Sequence, residues 1–143
     1  TATFGKEIAY NEDLPEIGKE KSFFMSVNYK IGNNISLSPS IRYSSLKKLD
    51  KSKSFYDGYI SRVSSRYQFN NDLSLRIISE YNNFNDTFYV QPLLQWNPNP
   101  STIFYIGGNQ SSINDFSQDP EDFDPFRINT SQFFIKFQYL IGV

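Results

Sequence analysis

The sequence predicts an all-β chain: an antiparallel transmembrane β-barrel of outer-membrane type, with eight strands in this chain. Three observations predict it. Apolar residues recur at every second position over most of the chain, which is the period of a strand. Short turns alternate with longer connections, as the inner turns and outer loops of such barrels do. The last stretch, Ser131 to Val143 (S-Q-F-F-I-K-F-Q-Y-L-I-G-V), alternates from Val143 back to Phe133. It is long enough for a tilted membrane strand, which needs about 9–11 residues.

The elements follow in order. Ala2 to Tyr10 is the first strand, with Phe4, Ile8 and Tyr10 on one face beside Lys6. Asn11 to Ser22 is a polar connection punctuated by Pro15 and Gly18. Phe23 to Ile31 alternates Phe23, Met25, Val27, Tyr29 and Ile31 against Phe24, Ser26, Asn28 and Lys30. Gly32-Asn33-Asn34 is a tight turn, because Gly and Asn tolerate positive φ. The next strand sets Ile35, Leu37, Pro39, Ile41 and Tyr43 against Ser36, Ser38, Ser40, Arg42 and Ser44. Pro39 has no N–H, so it costs a ladder bond or marks a bulge.

Residues 45–54 form a basic loop, and Phe55 to Phe69 is the longest strand, with Tyr59, Val63, Tyr67 and Phe69 opposite Arg62, Ser64, Arg66 and Gln68. A second tight turn at 70–72 leads to Leu73, Leu75, Ile77 and Tyr81, backed by Ser74, Arg76, Ile78 and Glu80. A loop at 82–86 precedes Phe88 to Trp96; N-P-N-P-S at 97–101 reverses the chain. Thr102 to Asn109 is a short strand, Gln110 to Thr130 the longest connection, and the closing strand comes last. The short turns at 32–34, 70–72 and 97–101 all fall at one end. Aromatic residues, 17% of the chain, gather toward both strand ends, as headgroup bands do.

Composition excludes several functions. There is no run of eighteen apolar residues, so no transmembrane helix. With no cysteine there are no disulfides and no thiolate chemistry. With no histidine there is no Ser-His or Asp-His machinery, and a non-enzymatic chain is expected. The net charge of −1 gives no reason to expect nucleic acid as a partner. The acidic loop carrying Asp115, Asp119, Glu121, Asp122 and Asp124 offers oxygens for Ca²⁺. It lacks the spacing and turn glycine of an EF-hand, so a solvated or partner-facing loop is the expectation, with no cofactor.

The face away from the apolar one is basic. Lys30, Arg42, Arg62, Arg66, Arg76 and Lys136 project from it, with Glu80 as the acidic partner. A closed eight-stranded barrel has an interior just filled by side chains. Packing those charges there carries a large desolvation penalty. Two expectations meet this penalty: a wider, wet lumen, with residues 1–143 forming the C-terminal part of a larger barrel, or an acidic plug or partner that fills the lumen. The chain also opens directly in strand-like sequence, with no signal peptide in this numbering.

The stretches Y-Q-F-N-N-D-L-S-L-R (67–76), V-Q-P-L-L-Q-W-N-P-N-P-S-T-I-F-Y-I-G (90–107) and F-F-I-K-F-Q-Y-L (133–140) resemble the end of a family of large exported proteins of Bacteroidetes-type bacteria. That family has an N-terminal carbohydrate-binding-like domain and a C-terminal outer-membrane barrel. Ser101 stands where the family pattern has Gly, and the likeness covers the second half only. The resemblance implies location in a Gram-negative outer membrane, contact with its lipid, and pairing with other strands or subunits. The function expected is a channel, transport component or accessory subunit. The alternatives are part of a gated nutrient receptor, which needs an upstream plug domain, or a soluble β-barrel, sandwich or lipocalin-like binding module.

Overall fold

The computed structural model describes residues 1–10, 15–49, 54–113 and 127–141. All regular structure among them is β: β1 (Ala2–Tyr10), β2 (Pro15–Ser26), β3 (Tyr29–Ile31), β4 (Ile35–Lys48), β5 (Ser54–Gln68), β6 (Leu73–Asn82), β7 (Thr87–Asn99), β8 (Thr102–Ile113) and β9 (Arg127–Tyr139). They form one antiparallel sheet in the order β1-β2-β4-β5-β6-β7-β8-β9, with β3 also on β4.

This is an open sheet and not a barrel. Among the described residues β1 pairs only with β2 and β9 only with β8, so there both edges carry backbone groups without a ladder partner. The expectation of a closed transmembrane barrel is therefore overturned. Alternation along a strand decides which side chains share a face. It says nothing about whether the first and last strands meet, which depends on accumulated twist, tilt and stagger. The sorting of turns does not imply closure either. In any up-and-down meander successive connections fall at alternate ends.

Among the described residues nine strands are present where eight are expected, because one predicted strand is interrupted. Ser26 faces Ser40 and Tyr29 faces Leu37, so β2 and β3 keep one register on β4. The gap lies opposite Pro39. The Val27 amide donates to the Pro39 carbonyl at 3.0 Å, but Pro39 has no N–H to return. The ladder bond is lost without a bulge. Pro92 coincides with a similar gap, between the pairs Val90↔Gln110 and Leu93↔Gly107.

Strands also run further than their apolar patterns. β2 begins at Pro15, inside the expected polar connection, and pairs with both β1 and β4. β4 reaches Lys48, β8 reaches Ile113 and β9 starts at Arg127. Backbone pairing with a neighbour holds polar residues in the ladder, so the connections are shorter than the sequence implies. Asparagines set the turns. The amides of Asp72 and Leu73 donate to Asn70 Oδ1 at 2.9 and 2.8 Å, and the Phe84 amide donates to Asn82 Oδ1 at 2.9 Å. Gly32 takes φ 60°, which its turn requires.

A single sheet has little interior. Among described residues the buried hydrophobics are Leu46 and Ile78. The accessible surface is 10870 Å² for 16.6 kDa, whereas a compact monomer of that mass exposes about 7,600 Å². The local packing that does exist fills glycine notches. Leu46 covers Gly18, Phe84 covers Gly58 while standing edge-on to Tyr56, and Phe134 covers Gly107.

Candidate functional site

Cross-strand partners in an antiparallel ladder point to the same side. The register therefore puts Ser40, Arg62 and Glu80 in one row, Arg42 with Ile60 in the next, and Lys30, Ser36, Arg66 and Arg76 in a third. Lys136 joins the same face through Tyr105, Gln95 and Ser74. All six predicted bases and Glu80 thus share one face.

That face is not a lumen. Among the described residues the sheet does not close around it, and Lys30, Arg42, Arg62, Arg66 and Lys136 are exposed, so the desolvation penalty expected for a packed interior does not arise. Arg62 Nη1 lies 3.6 Å from Glu80 Oε2, with the side chains 50% and 31% exposed. Arg42 lies over the Phe24 ring at 5.3 Å and Lys136 over the Tyr105 ring at 5.8 Å. A cleft of 290 Å³ is lined by Phe24, Ser40, Arg42, Ile60, Arg62 and Glu80. The row Lys30–Ser36–Arg66–Arg76 contains no carboxylate, and Arg66 sits directly opposite Arg76. Guanidinium forks in that setting suit carboxylate, phosphate or sulfate oxygens.

The opposite face is apolar. Trp96, Phe104 and Phe137 form a ladder across three strands, with ring centroids 5.3 and 4.9 Å apart. Trp96, expected in a headgroup band, instead packs on Phe104, which packs in turn on Phe137, as cross-strand pairs. Leu73, Leu94 and Ile106 join Trp96 and Phe104 around a 340 Å³ groove.

One basic feature is missed by sequence reasoning. Lys6 faces Lys19, and Lys19 faces Lys47, so three lysines stand in register across β1, β2 and β4 at one end of the apolar face. Lys21 lies between Phe4 and Ser45 in the neighbouring row. The signal was present in K-E-K-S-F-F-M (19–25), where Lys19 and Lys21 keep the period of Phe23 and Met25. It is hidden when 11–22 and 45–54 are read as loops. Lys47 Nζ lies 2.7 Å from Asp57 Oδ2, and Tyr43 Oη donates to Asp57 Oδ1 at 2.8 Å. The hydrogen bond from Lys47, then that from Tyr43, holds the Asp57 carboxyl below its ordinary pKa. The same bond to Asp57 raises Lys47. Tyr81 is raised by donating its hydroxyl proton to Asp86 at 2.9 Å.

Asp115, Asp119, Glu121, Asp122 and Asp124, the expected Ca²⁺ or partner loop, lie outside the described residues. Among the described residues no group of three or more acidic side chains is placed to hold a metal ion.

No protein-family model, curated protein or solved structure matches this chain. The resemblance to the Bacteroidetes-type barrel family is thereby overturned. Its quoted stretches are short alternating strands and Asn-Pro turns, which unrelated sheets need for the same physical reasons. The channel, transport and outer-membrane assignments rested on that resemblance and on a closed barrel, and they fall with the open sheet.

Proposed function

We propose that this chain is a non-enzymatic binding module whose arginine-rich sheet face receives an anionic ligand. The observation that carries the reading is the carboxylate-free row Lys30–Ser36–Arg66–Arg76, with two arginines directly opposite each other. Like charges facing each other across a ladder are destabilising. An anion seated between them converts that repulsion into paired, charge-assisted hydrogen bonds. The adjoining cleft at Arg42 and Arg62 extends the same surface, and its Phe24 and Ile60 offer apolar contact. The lack of histidine and cysteine throughout the chain favours binding over catalysis.

Dextran sulfate and neutral dextran of equal length test the proposal by titration calorimetry. Saturable binding of the sulfated chain alone is expected, weakened about tenfold in R66Q/R76Q, a change of ~1.4 kcal/mol. It should also fall as salt rises. Equal binding of both dextrans, or an R66Q/R76Q variant that binds as well as the wild type, refutes the reading.

A further inference from the structure

The face opposite the arginines carries a second arrangement. Lys6, Lys19 and Lys47 are directly opposed on three neighbouring strands, and Lys21 is one register row away. Adjacent strands lie about 4.8 Å apart, so the three opposed lysines span about 10 Å. Among the described residues, Lys47 alone of the four has a carboxylate within salt-bridge distance, Asp57. Lys6 and Lys19, directly opposed, repel each other, and a bound anion removes that repulsion.

The surface beside them is what specifies the anion. Two residues along each strand the same face turns apolar: Lys6 gives way to Phe4, Lys21 to Phe23 and Met25, and Ser45 to Tyr43 and Ile41. Phe4, Phe23 and Met25 are 72%, 43% and 52% exposed. A 380 Å³ cleft lined by Lys19, Lys21, Tyr43, Ser45, Lys47, Lys48 and Leu49 lies at the boundary. A free inorganic anion would satisfy the ammonium groups and leave this apolar surface in water. A molecule with an anionic head and a hydrocarbon tail satisfies both.

We propose that this face binds an anionic amphiphile, its phosphate or carboxylate headgroup on Lys6, Lys19, Lys21 and Lys47 and its hydrocarbon tail along Phe4, Phe23 and Met25. The site lies on the other side of the sheet from the arginine row and does not depend on it.

Decyl phosphate below its micelle concentration, inorganic phosphate and the neutral amphiphile octyl glucoside are compared by titration calorimetry on the full chain. Decyl phosphate should bind saturably, and each of the other two about tenfold or more weakly. K19Q/K21Q should weaken decyl phosphate about tenfold, and F23S/M25S should weaken it without changing inorganic phosphate. On an R66Q/R76Q background K19Q/K21Q should still weaken decyl phosphate about tenfold, which separates this site from the arginine face. Far-UV circular dichroism checks that each variant keeps its sheet. Octyl glucoside binding as tightly as decyl phosphate, inorganic phosphate doing so, folded K19Q/K21Q binding unchanged, or loss of the K19Q/K21Q effect on the R66Q/R76Q background would each overturn the proposal.

Discussion

Replacing Gly108 by alanine should loosen the β8–β9 pairing, and the cost can be worked from the geometry. Gly108 faces Phe133 across that pair. An added Cβ would sit 2.6 Å from the Gln132 carbonyl oxygen, 0.8 Å inside the 3.4 Å at which ordinary contact begins. The obstacle is backbone, so no side-chain rotation relieves it, and the strands must separate or tilt. Overpacking of this kind typically costs about 1–3 kcal/mol. With a urea dependence of about 1–3 kcal/mol per molar, the unfolding midpoint should drop by ~1 M. Trp96, the single tryptophan, is stacked on Phe104 of β8 and gives a fluorescence signal for that region. Gly5→Ala is the control, since nothing lies within 4 Å of its added Cβ. It should match the wild type or gain about 0.4–1 kcal/mol through the unfolded state. A Gly108→Ala midpoint at or above the wild-type value refutes the reasoning.

Two further outcomes follow from the same geometry. The Leu140 amide donates to Ser101 at 2.8 Å, so even-numbered residues of β9 turn their backbone groups toward β8 and Phe133, Ile135 and Phe137 turn theirs toward the open edge. Proline at 136 should therefore lose a ladder bond, worth about 0.5–1.5 kcal/mol, while Ile135→Pro should stay within about 0.5 kcal/mol of the wild type in urea unfolding. Equal destabilisation by the two would mean that β9 is paired on both sides and has no open edge. The Asp57 carboxyl, held down by Lys47 and Tyr43, contributes stability above its unfolded pKa that is lost as pH falls through the lower folded value. Asp57→Asn should flatten that acid limb, most clearly at low salt because the pair is exposed. Identical acid limbs for Asp57→Asn and wild type, measured by pH-dependent urea unfolding, would show that the contact contributes nothing.

The sequence by itself determined the β class, the two faces and most of the turns. Those are local properties. Period two places Arg62 and Arg66 on one side of β5 and Val63 and Tyr67 on the other, whatever that strand later pairs with. Asn70, Asn82 and Gly32 shape their turns through bonds and torsions within a few residues. Lys19, Lys21 and Lys47 come together only through pairing, because β2 and β4 bring them into register from separate segments that look like solvated loops. Closure, too, was decided by the tertiary structure alone. Whether β1 meets β9 depends on twist and stagger summed over the whole sheet, and no residue spacing encodes that sum.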